Sequence, residues 1–168
     1  MCKKVVSPWS PNPTEHVHHE GAVRIGANVT IESGTILKGP CYIGSNSYVG
    51  NNALIRNYSA IGPDSIVGYG SELKNCVLFG KNDVGRLSFV GDSVMGEGAS
   101  SGPGLTTVNH TVDYTPVTCK SSLGSVETGL VKLGAFVGDN VAIGARHVLG
   151  PGAILKHGRI IPDSTTIC

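Results

Sequence analysis

Aromatic residues make up only 5% of the 168-residue chain and charged residues 15%, and the formal net charge is +1 at pH 7. Proteins that grip a phosphate backbone carry a marked basic excess or a basic stripe, so no nucleic-acid partner is expected. No apolar run approaches the ~18 residues that a spanning helix needs, and the opening MCKKVVSPWS lacks the apolar stretch of a secretion signal. No membrane partner is expected, and the reading is of a cytoplasmic protein. Cysteine is sparse: Cys2, Cys41, Cys76, Cys119 and Cys168 are widely spaced, odd in number and never in a Cys-x-x-Cys pair. That pattern indicates neither a disulfide framework nor a zinc site, and favours buried or idle thiols. The stretch EHVHHE gathers Glu15, His16, His18, His19 and Glu20, a composition that could bind a divalent metal, with His16 and His18 on one face of a strand. No distant further ligand is identifiable, and a polar first rung would shield a β edge equally well, so no metal is expected.

What the chain has in abundance is glycine, 24 residues of it, and a six-residue rhythm. Aliphatic residues recur at Ile25, Ile31, Leu37, Ile43, Val49, Ile55, Ile61, Val67 and Leu73, and again at Val137, Ile143, Leu149, Leu155 and Ile161. Four residues after the members of the first run stand Val29, Thr35, Cys41, Ser47, Ala53, Ser59, Ser65 and Ser71, all small or slender. Six residues advance an α-helix by about 600°, so a helix cannot hold this pattern on one face, whereas a triangular coil of three short strands can. Glycines following many of the aliphatic residues suit a short strand that ends in a sharp turn. The fold class is therefore all-β, a single-domain parallel β-helix in which residues one 18-residue coil apart stack roughly 4.8 Å from each other.

Residues 1–15, with Pro8, Pro11 and Pro13, read as an irregular leader, and residues 16–168 as the β-helix domain. The rhythm slips its phase around DVGRLSFVGDS and is lost between Ser101 and Gly129, which reads as a loop excursion around 105–130. Loops of that length inside compact domains are usually functional or disordered.

Stacking by one coil aligns Lys38, Arg56 and Lys74 into a basic column, with Asn57 and Asn75 beside two of them. Like charges on neighbouring rungs repel unless an anion or an acidic partner neutralises them. A bound phosphate would serve, and so would plain solvation of surface charge. In the excursion, TTVNHTVD places Asn109 beside His110. A neutral imidazole can take a proton near pH 7 and an amide can polarise a carbonyl, a pair suited to acyl transfer, although an exposed loop histidine can equally be idle.

Hexads of the type aliphatic-Gly-x-x-small-x resemble those of the hexapeptide acyltransferases, which implies a left-handed β-helix. From NALIRNYSAIG to TTVNHTVD the chain resembles the C-terminal acetyltransferase domain of archaeal-type bifunctional sugar-1-phosphate nucleotidyltransferases, and more distantly that of bacterial glucosamine-1-phosphate acetyltransferase/uridyltransferases. The stretch KLGAFVGDNVAIGARHVLGPGAIL resembles the part of those domains that lines acetyl-CoA. The resemblance implies a homotrimer with sites between neighbouring prisms, acetyl-CoA as co-substrate and a small sugar phosphate or sugar nucleotide as acceptor. No GxGTR-type signature is present, so nucleotidyl transfer would fall to a separate partner.

Carried over residue by residue, the resemblance assigns phosphate binding to Arg56 and Lys74 and substrate binding to Asn109; stacking adds Lys38 and Asn75 of the same wall as candidate substrate-binding residues. It assigns the CoA side to Lys120, Lys132 and Ala145. The family motif His-Leu-Ser/Thr-Tyr-x-Gly-Asp stands here as Arg86-Leu87-Ser88-Phe89-Val90-Gly91-Asp92. Phe89 keeps a ring to pack on a sugar and lacks the hydroxyl. Arg86 cannot act as a general base but can hold phosphate or carboxylate through bidentate hydrogen bonds. His110 is then the expected substitute base. The alternative is a regulatory or binding trimer that holds a sugar phosphate without transforming it.

Overall fold

The computed structural model describes residues 17–121 and 124–164. The expected leader, His16, Cys2 and Cys168 lie outside the described residues. The chain winds as a three-sided left-handed β-helix, with three seven-stranded parallel sheets forming the faces of a prism. The first face carries His18–Glu20, Ile36–Lys38, Leu54–Ile55, Glu72–Lys74, Phe89–Gly91, Thr106–Thr107 and Val148–Leu149. The second begins at Val23–Ile25 and the third at Thr30–Ile31.

Both sets of inward positions read from the sequence fill the core. Leu37, Ile43, Val49, Ile55, Ile61, Val67 and Leu73 are buried, and Thr35, Ser47, Ser59, Ser65 and Ser71 are buried beside them. The slender residues are needed because the three faces converge at the corners. Their hydroxyls are satisfied locally, as where Ser47 Oγ donates to the Gly62 carbonyl at 3.2 Å and accepts from the Ser65 amide at 3.2 Å. Corner glycines are there for closeness: a Cβ on Gly44 would lie 2.4 Å from Pro63 N on the next rung.

The slip in rhythm has a simple geometric origin. Ile55 pairs with Leu73 a full eighteen residues on, but Leu73 pairs with Val90, one residue short of that. Leu78 is the next large inward residue after Leu73, and Met95 the next after Val90. Both shortened hexads turn the corner between the first and second faces, where Asn75 and Asp92 adopt φ of 47° and 48°. Asparagine and aspartate are the non-glycine residues that tolerate this left-handed conformation best.

The excursion starts later than the sequence reading put it. Ser100–Ser101 and Thr106–Thr107 are still strands of the prism, paired with Ala142–Ile143 and Val148–Leu149. The polar residues Ser101 and Thr107 occupy inward positions normally held by aliphatics, which hid two strands in the sequence. The Thr107 hydroxyl accepts from the Gly91 amide at 2.8 Å, and Ser101 Oγ from the Gly85 amide at 3.3 Å. The chain leaves the prism only after Thr107 and rejoins it at Phe136–Val137, at the same corner as the two short hexads. In between, Thr118–Ser121 and Gly124–Glu127 pair as an antiparallel hairpin. Its base is anchored by Val117 and Cys119, both buried over Gly152.

Among the described cysteines, Cys41, Cys76 and Cys119 are all free and buried, as expected. Burial pushes the Cys41 thiol up to about 11 and that of Cys76 to about 12.

Candidate active site

Asp92 gathers the corner between the first and second faces. Its side chain is only 8% exposed, against 19% for its partner Lys74, whose Nζ lies 2.8 Å from Asp92 Oδ2. Asn75 Nδ2 donates to Asp92 Oδ1 at 2.8 Å, and Asn109 Nδ2 donates to Oδ2. The main chain ties the same groups together. The Asp92 amide donates to the Lys74 carbonyl, the Gly134 amide to the Asp92 carbonyl, and the Leu133 amide to the Asn109 carbonyl. Burial alone would push the pKa of Asp92 up. The donors Asn75, Lys74 and Asn109, together with the Lys74 charge, outweigh burial and hold the carboxyl below the usual carboxylate range.

The basic column is real and it is internally neutralised. Lys38 stacks on Glu20 and pairs with it at 3.3 Å; Arg56 Nη1 lies 2.8 Å from Glu72 Oε1; Lys74 takes Asp92. The acidic partners that make three stacked cations tolerable are thus the protein's own. Each cation keeps donors beyond the one so engaged, since an ammonium carries three hydrogens and a guanidinium five. Glu20, Glu72 and Asp92 were not assigned from the sequence as partners of the column. For two of them a signal was present: Glu20 precedes Lys38, and Asp92 follows Lys74, by the nominal eighteen residues.

Phe89 belongs to the Asp92 corner. Its ring covers Gly91, where a Cβ would lie 2.5 Å from Phe89 Cζ and 3.2 Å from Asn109 Nδ2. His110 follows Asn109 directly and stacks on Tyr114, with ring centroids 4.6 Å apart and planes within 6°. Its Nδ1 is 2.9 Å from the Thr111 carbonyl. A carbonyl can only accept, so Nδ1 carries the hydrogen, and in the neutral ring Nε2 is left with its lone pair.

Arg86 lies elsewhere. It is exposed at the corner between the third and first faces, and no hydrogen bond or ion pair engages its side chain among the described residues. Ala145 is at that same corner, two rungs along through Pro103. Its amide donates to Asp163 Oδ1 at 2.6 Å. The residues expected on the CoA side are therefore spread over three places. Lys132 rims a cleft of about 260 Å³ together with Asn75 and Asp92, floored by Val77, Val94 and Phe136. Lys120, on the hairpin, meets Lys156 and Arg159 over Ile154 around a cleft of about 580 Å³. Lys156 and Arg159 were not singled out in the sequence, because only the folded hairpin brings Lys120 over the last coils. Among the described residues, no group of three or more His, Cys, Asp or Glu side chains could hold a metal ion.

Comparison with known proteins matches residues 37–128 to the family described as the GMPPB C-terminal domain. YaiX of Escherichia coli K12, which bears the name of an acetyltransferase, is 36% identical over 136 residues, covering 81% of this chain and 59% of YaiX. The bifunctional protein GlmU of Methanococcus vannielii is 34% identical over 91 residues, covering 54% of this chain and 22% of GlmU. The chain thus spans less than two thirds of the length of these relatives. Among solved structures, a hexapeptide transferase family protein from Anaplasma phagocytophilum shares the fold, with a TM-score of 0.53 and 18% identity over 86% of this chain and 76% of that one. With a family match across more than half of its length, the chain belongs to the family described as the GMPPB C-terminal domain, and its hexad prism is the fold of the hexapeptide transferases.

Proposed function

We propose that the protein transfers an acetyl group from acetyl-CoA to the amine of an amino-sugar 1-phosphate or sugar nucleotide. The observation that carries this reading is the convergence of Lys74, Asn75, Asp92, Phe89 and Asn109 on one corner, with His110 next in the chain. The remaining donors of Arg56 and Lys74 meet the acceptor's phosphate, Phe89 packs on the sugar, and Asn109 positions the amine. His110 Nε2 takes the proton as the amine attacks the thioester carbonyl, and the tetrahedral intermediate collapses with departure of CoA thiolate. The trio Lys120, Lys156 and Arg159 provides positive charge for the phosphates of CoA.

The assembly we infer is a homotrimer. Outward on the second face, Tyr42, Ala60, Val77, Val94, Phe136 and Ile154 stack in register as an apolar column, with Tyr42 39%, Phe136 38% and Ile154 39% exposed. Such a stripe is what closed cyclic association buries.

Arg86, standing where relatives of this type carry a histidine, supports the second reading, a trimer that binds a sugar phosphate and partners a separate nucleotidyltransferase. Titration calorimetry with acetyl-CoA, followed by an acetyl-transfer assay on glucosamine 1-phosphate, separates the two. The enzyme reading expects CoA binding and turnover that falls about 10²-fold or more in His110→Ala. Turnover untouched by His110→Ala removes the assigned base, and absence of acetyl-CoA binding favours the binder.

A further inference from the structure

We propose that Asp92 is the positioning residue of this site: by taking the NH2 groups of Asn75 and Asn109, it turns their amide oxygens outward as acceptors for an N–H or O–H of the acyl acceptor. This deepens the acetyl-transfer reading and, as regards the acceptor, rests on it. An ionised carboxylate can only accept, so the amide atoms facing it must be nitrogens, and the orientation of both amides follows from chemistry. Among the described residues, no donor reaches Asn109 Oδ1 and no buried side-chain nitrogen or oxygen lacks a partner. Asn109 Oδ1 therefore has access to solvent. The assignment alters the role foreseen for Asn109: with its NH2 committed to Asp92, it offers an oxygen to an amine and is poorly placed to polarise a carbonyl. Lys74, bound to the same oxygen as Asn109, keeps the carboxylate ionised and so keeps both amides turned.

The acidic corner also bears on which acceptor enters. A group rich in hydrogens, such as the amine and neighbouring hydroxyl of a sugar, matches two outward amide oxygens. A phosphate set against the outward oxygens of Asn75 and Asn109 would meet lone pairs, so the phosphate belongs lower on the column, beside Arg56 and the free hydrogens of Lys74.

The test uses the full chain, 15N-labelled, with the side-chain amides of Asn75 and Asn109 assigned from Asn75→Ser and Asn109→Ser variants. In the unaltered protein both pairs of amide signals should hold position from about pH 7 down to about pH 4, because the carboxylate they bond stays ionised. In Asp92→Asn both pairs should move and exchange with solvent about tenfold faster or more. With acetyl-CoA and glucosamine 1-phosphate, Asp92→Asn should raise KM for the sugar about tenfold while KM for acetyl-CoA changes less than about twofold. Amide signals unmoved in Asp92→Asn, or signals of the unaltered protein that titrate above about pH 5, overturn the proposal. Should Asp92→Asn fail to fold, the titration of the unaltered protein decides alone. If no sugar is acetylated, the acetyl-transfer reading fails while the amide signals still judge Asp92.

Discussion

Replacing Lys74 by Met keeps most of the side chain's length and removes only the ammonium, which isolates what the charge does for the Asp92 corner. In the folded protein Asp92 would keep two amide donors but lose its counter-charge while remaining 8% exposed. Losing a charged hydrogen bond costs about 1.5–3 kcal/mol, and removing one partner of a fully buried pair about 3–5. Lys74 itself is 19% exposed, so the lower range applies, and Lys74→Met should destabilise by about 2 kcal/mol at neutral pH. Lys38→Met is the built-in control, since Lys38 and Glu20 are 47% and 56% exposed and a surface pair is worth about 0–1 kcal/mol. The pH dependence follows from the lowered pKa of Asp92. A carboxyl whose folded-state value lies below its unfolded value contributes stability above the unfolded value, about pH 4, and loses it as pH falls through the folded one. The gap between the unaltered protein and Lys74→Met should therefore be full at pH 7 and close progressively below about pH 4. Urea unfolding followed by far-UV circular dichroism, run at both ends of that range, reads it directly. Equal losses for Lys38→Met and Lys74→Met, or a Lys74→Met loss that ignores pH, would refute the account of Asp92 as a buried, partnered carboxylate.

Two further outcomes follow from the prism itself. Thr107→Val removes the hydroxyl that accepts from the Gly91 amide at 2.8 Å, leaving a buried donor unpaired; thermal unfolding should show a loss of about 1–3 kcal/mol, which Thr107→Ser largely restores. Cys41 and Cys76, with thiols raised by burial to about 11 and about 12, should resist an aromatic disulfide reagent at pH 8 in the folded protein and react promptly in denaturant. Rapid labelling of either under native conditions contradicts their place in the core.

The hexad rhythm was legible because its physics is local and repeated. An inward aliphatic every six residues, with a slender partner four residues on, admits a three-sided coil and excludes a helix, so Ile25 through Leu73 sufficed to name the fold. The cation column was legible for the same reason, since stacking by one coil is arithmetic. What sequence arithmetic could not supply was the shift in register. Five residues in place of six between Leu73 and Leu78, and again between Val90 and Met95, move Asp92 over Asn75 and Lys74 and carry Asn109 to the same carboxylate. Ser101 and Thr107 concealed two strands because a buried hydroxyl bonded to the neighbouring backbone can stand where the pattern calls for an aliphatic. The sequence by itself determined the prism and the residues lining its first corner. Only the tertiary structure decided that the cations are neutralised from within, that Arg86 faces a different corner from Asn109, and that the hairpin lays Lys120 over Lys156 and Arg159. Those outcomes depend on which side chains meet across rungs and loops, and a periodic pattern fixes the rungs without fixing the partners.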